Sequence, residues 1–181
     1  MTRRHVFTAA SVAGMALSGT TVAADAGIYV VPTPTLSHVT DVIAQLLAPE
    51  EVGDGPLGAR RIIPITGGEA KGPRLNGTLL PGGADFQLIR HDNLTEIQAR
   101  YIIETPQGRV YVENTGIRHA APDIMEKLKR GEPVDPAQVY FRSTPRFETA
   151  SADLAWMQRS IFVCSGARFP DYVQLSIFEV S

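Results

Sequence analysis

A chain of 181 residues that is 44% hydrophobic and 20% charged carries enough apolar material for one packed core and too much for a disordered segment. Its formal charge of -2 is spread over interspersed acids and bases, which excludes the basic face that nucleic acid or an anionic lipid surface demands. One cysteine, Cys164, excludes an internal disulfide and any multi-cysteine metal site; in the run IFVCSG it reads as a small buried hydrophobe.

The first element in chain order is a targeting segment. Arg3 and Arg4 open a short cationic stretch, TAASVAGMALSGT follows as a weakly apolar stretch, and small residues around Ala23, Ala24 and Ala26 offer cleavage points. Together they are similar to a bacterial twin-arginine export signal over residues 1–26, which predicts a periplasmic or secreted protein. The apolar stretch is too short and too rich in Gly, Ser and Thr for a membrane span, so no stable span is expected after signal removal. Residues 27–181 are then one domain.

From residue 36 onward, apolar and polar residues alternate in short runs. LSHVTDVIAQLL, ARRIIPI, NGTLL, ADFQLIR, EIQARYIIET, RVYVENT, QVYFRS, WMQRSIFVC and DYVQLSIFEV read as strands. The segments PEEVGDGPLG, TGGEAKGP, PGG, HDN, TPQG, RGEPVDP and SGARFPD between them read as turns. Only APDIMEKLKRGE reads as a helix: Pro122 and Asp123 lie near its start, Ile124, Met125 and Leu128 share a face, and Gly131 closes it. Nine or ten strands with one short helix predict an all-β fold, a single compact antiparallel barrel whose closure removes exposed edges.

The familiar cofactor and metal motifs are absent. Gly53 to Gly58 formally matches GxGxxG, but it precedes a strand and carries Pro56 where a helix should begin, so it is a turn. TGGEAKGP lacks the lysine-hydroxyl ending of a P-loop, and no GxSxG nucleophile elbow occurs. His38, His91 and His119 are far apart in sequence, so no metal site and no cofactor are predicted.

Polar residues inside the strands are the informative ones. Strand alternation puts Asp85, Gln87 and Ile89 on one face and Phe86, Leu88 and Arg90 on the other. It sets Gln98, Arg100, Ile102 and Glu104 against Ile97, Ala99, Tyr101 and Ile103, and Tyr111, Glu113 and Thr115 against Val110, Val112 and Asn114. Tyr140 and Arg142 oppose Val139 and Phe141, with Glu148 following Phe147. Such faces either converge inside the barrel or form a solvated wall of cross-strand ion pairs, and both readings stay open at this point.

The runs GARRIIPITGG, GPRLNGTLLPGGADFQLIR, ARYIIETPQGRVYVENTGIR, GEPVDPAQVYFRSTPRFET and WMQRSIFVCSGAR resemble, in order and spacing, the domain of unknown function 3237 family. The resemblance covers about residues 36–180 and implies a compact β-barrel. It carries over Gly82, Gly83, Ala84 and Asp85, then Arg100 and Tyr101, Asn114, Gly116 and Arg118, and Phe141, Arg142, Pro145, Phe147 and Glu148.

The expected function is binding of a small organic ligand, with no other partner predicted. Arg100 and Arg142 are candidate anion clamps, Tyr101 or Tyr140 a candidate donor, Asn114 and Arg118 further ligand-binding candidates, and Phe147 and Trp156 candidate aromatic lining. One alternative is a cofactor-independent isomerase, cyclase or lyase with Asp85 as base and Glu148 as acid. The other is a structural barrel with no small-molecule site. Convergence of Asp85, Arg100, Arg142 and Glu148 on one enclosed pocket favours the first two; an outer-wall position for them favours the third.

Overall fold

The computed structural model describes residues 31–181, so the predicted export signal lies outside the described residues. Ten strands follow in chain order: β1 (Leu36–Leu46), β2 (Glu50–Gly55), β3 (Gly58–Lys71), β4 (Gly77–Leu79), β5 (Gly83–Ile89), β6 (Thr95–Thr105) and β7 (Gly108–His119), then β8 (Tyr140–Thr149), β9 (Ile161–Arg168) and β10 (Tyr172–Val180). Helix α1 (Pro122–Lys129) interrupts them between β7 and β8, and short 3-10 turns span Pro136–Gln138 and Ala155–Gln158. Eight strands close an antiparallel barrel, and two are additional. The ring runs β1, β10, β9, β8, β7, β6, β5, β3 and back to β1, where Val42 faces Ala70 and completes the closure.

Two segments expected to be turns are strands. The first, around Gly53, is β2: it pairs with β3 alone and is exposed along its whole length, so its residues show no apolar alternation to read. The second is the continuation of β3 through Gly67 and Gly68, where the chain bends and exchanges β5 for β4 and β1 as neighbours. Gly68 has φ +139°, and a Cβ there would lie 2.0 Å from the Ile43 carbonyl oxygen, so only glycine lets the two strands meet. A third difference is at SGARFPD, expected to be a turn, whose Ser165–Arg168 continue β9, and a fourth is at WMQRS, where a 3-10 turn over Ala155–Gln158 replaces the expected start of β9. The expected PGG bend is present, with Gly82 at φ +105° between β4 and β5.

The barrel's two ends differ in chemistry. One is filled by Leu75, Leu79, Ile103, Val110, Val112, Phe147, Phe162 and Met157, all buried. There Phe147 meets Phe162 edge to face at 4.8 Å between ring centroids. This end is dry and supplies most of the hydrophobic stabilisation, since each such side chain contributes roughly 1.5–3 kcal/mol on burial. The other end carries polar side chains inward: Asp85, Gln87, Asn114 and Arg118. Helix α1 buries Ile124 and Met125 beside that end, with Asp123 in its first turn and Lys127 and Lys129 in its last, each complementing the helix dipole.

Candidate functional site

Apolar neighbours decide which polar side chains enter the barrel. On β7, Val110 and Val112 point inward, and the alternation carries Asn114 and Arg118 in with them, leaving them 3% and 4% exposed. On β3, buried Ile63 and Ile65 share the face of Arg61. On β9, buried Phe162 and Cys164 share the face of Arg168. Three guanidinium groups from three strands thereby gather at one end of the barrel.

One of them, Arg61, meets a single interior carboxyl through an ordered amide. Arg61 donates to Gln87 Oε1 from Nε at 2.9 Å and from Nη2 at 2.8 Å. With that oxygen committed, the Gln87 amide nitrogen turns to Asp85 and donates to Oδ2 at 2.5 Å. Asp85 Oδ1 is shut off from solvent and has no partner. Burial pushes the Asp85 carboxyl above its usual range, opposed by the Gln87 hydrogen bond and by the charge of Arg118. Burial, reinforced by repulsion from Arg61, lowers Arg118 to about 10, with Asp85 pulling the other way. Arg118 is thus still ionised at neutral pH. Arg168 is also lowered by burial first and then by Arg61, and its Nη1 donates to the Tyr172 carbonyl at 3.2 Å.

Two spaces that share lining residues surround these groups. An outer chamber of about 320 Å³ is lined by Arg61, Arg118, Arg168 and Phe169 from the barrel and by Met125, Leu128, Lys129, Arg130 and Glu132 from the helix and the residues after it. An inner chamber of about 30 Å³ extends into the barrel past Asp85, Gln87, Tyr101, Asn114 and Phe141. Arg118 and Arg168 line both and form the boundary between them. Glu51 approaches Arg61 at 3.8 Å from a largely exposed position, so it offsets little of the positive charge inside.

The sequence candidates divide between the interior and the outer wall. Asp85, Tyr101, Asn114 and Arg118 line the inner chamber. Phe147 points inward as well, but belongs to the dry core. Arg100 faces out and donates from Nε to Glu113 at 2.9 Å. Tyr140 and Arg142 are also outside: Tyr140 stacks on His119 at 4.9 Å, and the Arg142 guanidinium carbon lies 5.3 Å from the Tyr140 ring. Glu148 is exposed on the same outer face of β8, because buried Phe141 and Phe147 occupy the inward positions. Trp156 sits in the Ala155–Gln158 turn beneath Arg74, whose guanidinium carbon is 3.7 Å from the ring centroid. The four residues named for convergence therefore split, with Asp85 inside and Arg100, Arg142 and Glu148 outside.

Arg61, Arg168 and the relay residue Gln87 were not among the candidates. Their signal was available in the strand patterns: Arg61 alternates with Ile63 and Ile65, and Arg168 with Phe162 and Cys164. Cys164 is 1% exposed, and burial pushes its thiol up to about 11, consistent with a packing role.

These features describe a small closed antiparallel β-barrel with a polar, cationic chamber at one end. The chain belongs to the DUF3237 family, described as proteins of unknown function, which it matches over residues 34–180. It is 47% identical over 151 residues to a UPF0311 protein of Rhodopseudomonas palustris, covering 82% of this chain and 99% of that one. A crystal structure of a conserved protein of unknown function from that organism superposes with a TM-score of 0.81 at 45% identity, covering 83% of this chain and all of that one. A beta-barrel like protein from Acinetobacter baumannii superposes with a TM-score of 0.75 at 33% identity, covering 84% and 99% of the two chains.

Proposed function

We propose that this protein binds a small organic ligand bearing an anionic group, held in the outer chamber by Arg61, Arg118 and Arg168. The observation that carries this reading is the imbalance at the barrel end, where three partly desolvated guanidiniums face one interior carboxyl. Confining like charges in this way is unfavourable, and an incoming carboxylate or phenolate relieves it. The chamber's size suits a small molecule, and Met125, Leu128 and Phe169 supply an apolar side for its organic body. Calorimetric titration with benzoate tests the reading. Arg168→Gln should weaken binding about tenfold or more, as expected for loss of a hydrogen bond to a charged group, while Arg142→Gln on the outer wall should leave it unchanged. Equal affinity in wild type and Arg168→Gln would reject the assignment.

A second reading rests on Asp85, whose raised carboxyl and unpartnered oxygen are properties of a group that exchanges protons with a ligand. In this reading the protein is a cofactor-independent isomerase, cyclase or lyase with Asp85 as its acid–base group and Arg118 stabilising developing negative charge. Asp85→Asn should then abolish turnover of a bound compound with binding largely kept. Equal loss of both rejects the catalytic role.

Export through a twin-arginine route belongs to the same proposal and is supported by Arg3 and Arg4 and the stretch that follows them. Replacing both arginines by lysine should retain the protein in the cytoplasm of a bacterial host with its precursor length intact. Unchanged delivery to the periplasm would reject the route.

A further inference from the structure

Six buried side-chain polar atoms lack a hydrogen-bond partner among the described residues: Asp85 Oδ1, Thr95 Oγ1, Tyr101 Oη, Asn114 Oδ1, Arg118 Nε and Ser143 Oγ. Four of them, on Asp85, Tyr101, Asn114 and Arg118, belong to residues lining the inner chamber. Leaving a buried polar group unpaired is destabilising, so four around one small space mark a place built to receive a polar group. The rest of the lining is apolar, with Ala44, Leu46, Ile65, Ile97, Val173 and Leu175. The entering group is therefore small, and its polarity has to be complete in itself.

The donor and acceptor types narrow its chemistry. Asn114 Oδ1 accepts only, Arg118 Nε donates only, and the Tyr101 hydroxyl does either, while Asp85 Oδ1 accepts when ionised and can donate when protonated. A carboxylate or a carbonyl cannot satisfy the Asn114 oxygen, because it brings no proton. An ammonium cannot use the guanidinium donor. A hydroxyl meets both needs, donating to Asp85 or Asn114 and accepting from Arg118 or Tyr101. A chamber of about 30 Å³ is also large enough to admit one oxygen atom with its hydrogen.

We infer that the inner chamber is a hydroxyl-recognition subsite, so that the ligand is a hydroxy acid with its carboxylate on the outer arginines and its hydroxyl among Asp85, Tyr101, Asn114 and Arg118. This rests on the anion-binding reading above and adds the second functional group. In the absence of ligand the same four atoms hold a water molecule, the smallest group with the required donor and acceptor capacity. The shared boundary residues Arg118 and Arg168 keep the two subsites adjacent, which puts the hydroxyl near the carboxylate on the ligand.

The test is a titration of the purified full chain with benzoate, the three isomeric hydroxybenzoates and phenol. At least one hydroxybenzoate should bind about tenfold or more tighter than benzoate, because an analogue lacking the hydroxyl leaves buried groups unpaired or retains a bridging water. Tyr101→Phe and Asn114→Leu should each shrink that preference. Tyr101→Phe doubles as the folding control, since it removes only the hydroxyl and keeps the buried ring, so the unliganded variant should melt close to wild type. Benzoate binding that responds to Arg168→Gln without any preference for a hydroxybenzoate overturns the hydroxyl subsite and leaves the anion site standing. Phenol binding that responds to Tyr101→Phe, with no benzoate binding, keeps the hydroxyl subsite and rejects the anion site. A high-resolution crystal structure of the unliganded protein should place a water within hydrogen-bond distance of at least two of the four atoms; a dry chamber overturns the inference.

Discussion

Asp85 carries the clearest consequence at the scale of one residue. Its carboxyl is raised above 3.8 by burial, so in acid the folded state holds a proton more tightly than the unfolded chain does. By linkage, the stabilising contribution of the protonated form is fully present below about pH 3.8, the unfolded value, and is lost as pH rises through the folded value. At neutral pH the group is a net cost to folding, because the unfolded chain ionises freely and burial opposes the charged form in the folded one. Asp85→Asn removes that titration and keeps an oxygen to accept from Gln87, so the variant should melt higher than wild type at pH 7. The gap should close as the pH is lowered towards 4; a gap that widens in acid would contradict the assignment. Arg100 makes the opposite case. Its pair with Glu113 lies on the exposed wall, where solvent screens such contacts, so Arg100→Ala should shift the melting point little and leave ligand binding unaltered.

At the scale of the strand, alternation works as a switch whose setting comes from the apolar residues. Tyr101, Ile97 and Ile103 take the inward positions of β6 and thereby send Arg100 outward. Phe141 and Phe147 do the same to Arg142 and Glu148 on β8. These placements were legible from the sequence wherever one face is plainly more apolar than the other. They were not legible on β5, where Phe86 and Leu88 compete with Asp85, Gln87 and Ile89: the more polar face is the one that turns inward, and Phe86 is left exposed. Position on the barrel wall depends there on β3 and β6, whose inward residues Ile63 and Ala99 face Asp85 across the sheet. The bend in β3 was equally hidden, because a pair of glycines marks a turn and a bent strand alike. Gly68→Ala tests the bend directly. Positive φ and the contact with Ile43 should together cost at least about 1–3 kcal/mol, measured by urea unfolding, and Gly82→Ala, with open space around its Cβ, should cost less.

Across the whole molecule, stability and the proposed binding chemistry occupy opposite ends of one barrel. The closed ring ties them together, since β6, β7 and β8 each run from the dry core around Phe147 to the arginine end. Phe147→Ala should therefore lower stability by about 3–5 kcal/mol through the cavity it opens, while the affinity of the surviving folded fraction for a hydroxybenzoate stays close to wild type. Ligand should act in the reverse sense. A compound bound only by the folded state at a hundredfold excess over its Kd stabilises by about 2.7 kcal/mol, which for a domain of this size raises the melting point by roughly 5–11 °C. That rise should be reduced in Arg168→Gln and preserved in Phe147→Ala, although the latter starts from a lower melting point. Hydrogen exchange supplies the spatial half of the argument. Ligand should slow exchange most at the amides of Arg61, Gln87, Arg118 and Arg168 through local ordering of the chamber, whereas the amides of buried Ile103 and Val110 are expected to exchange through global opening and should slow by no more than the global stabilisation. Protection centred instead on Arg100 and Arg142 would move the ligand to the outer wall and reject the barrel end as its site.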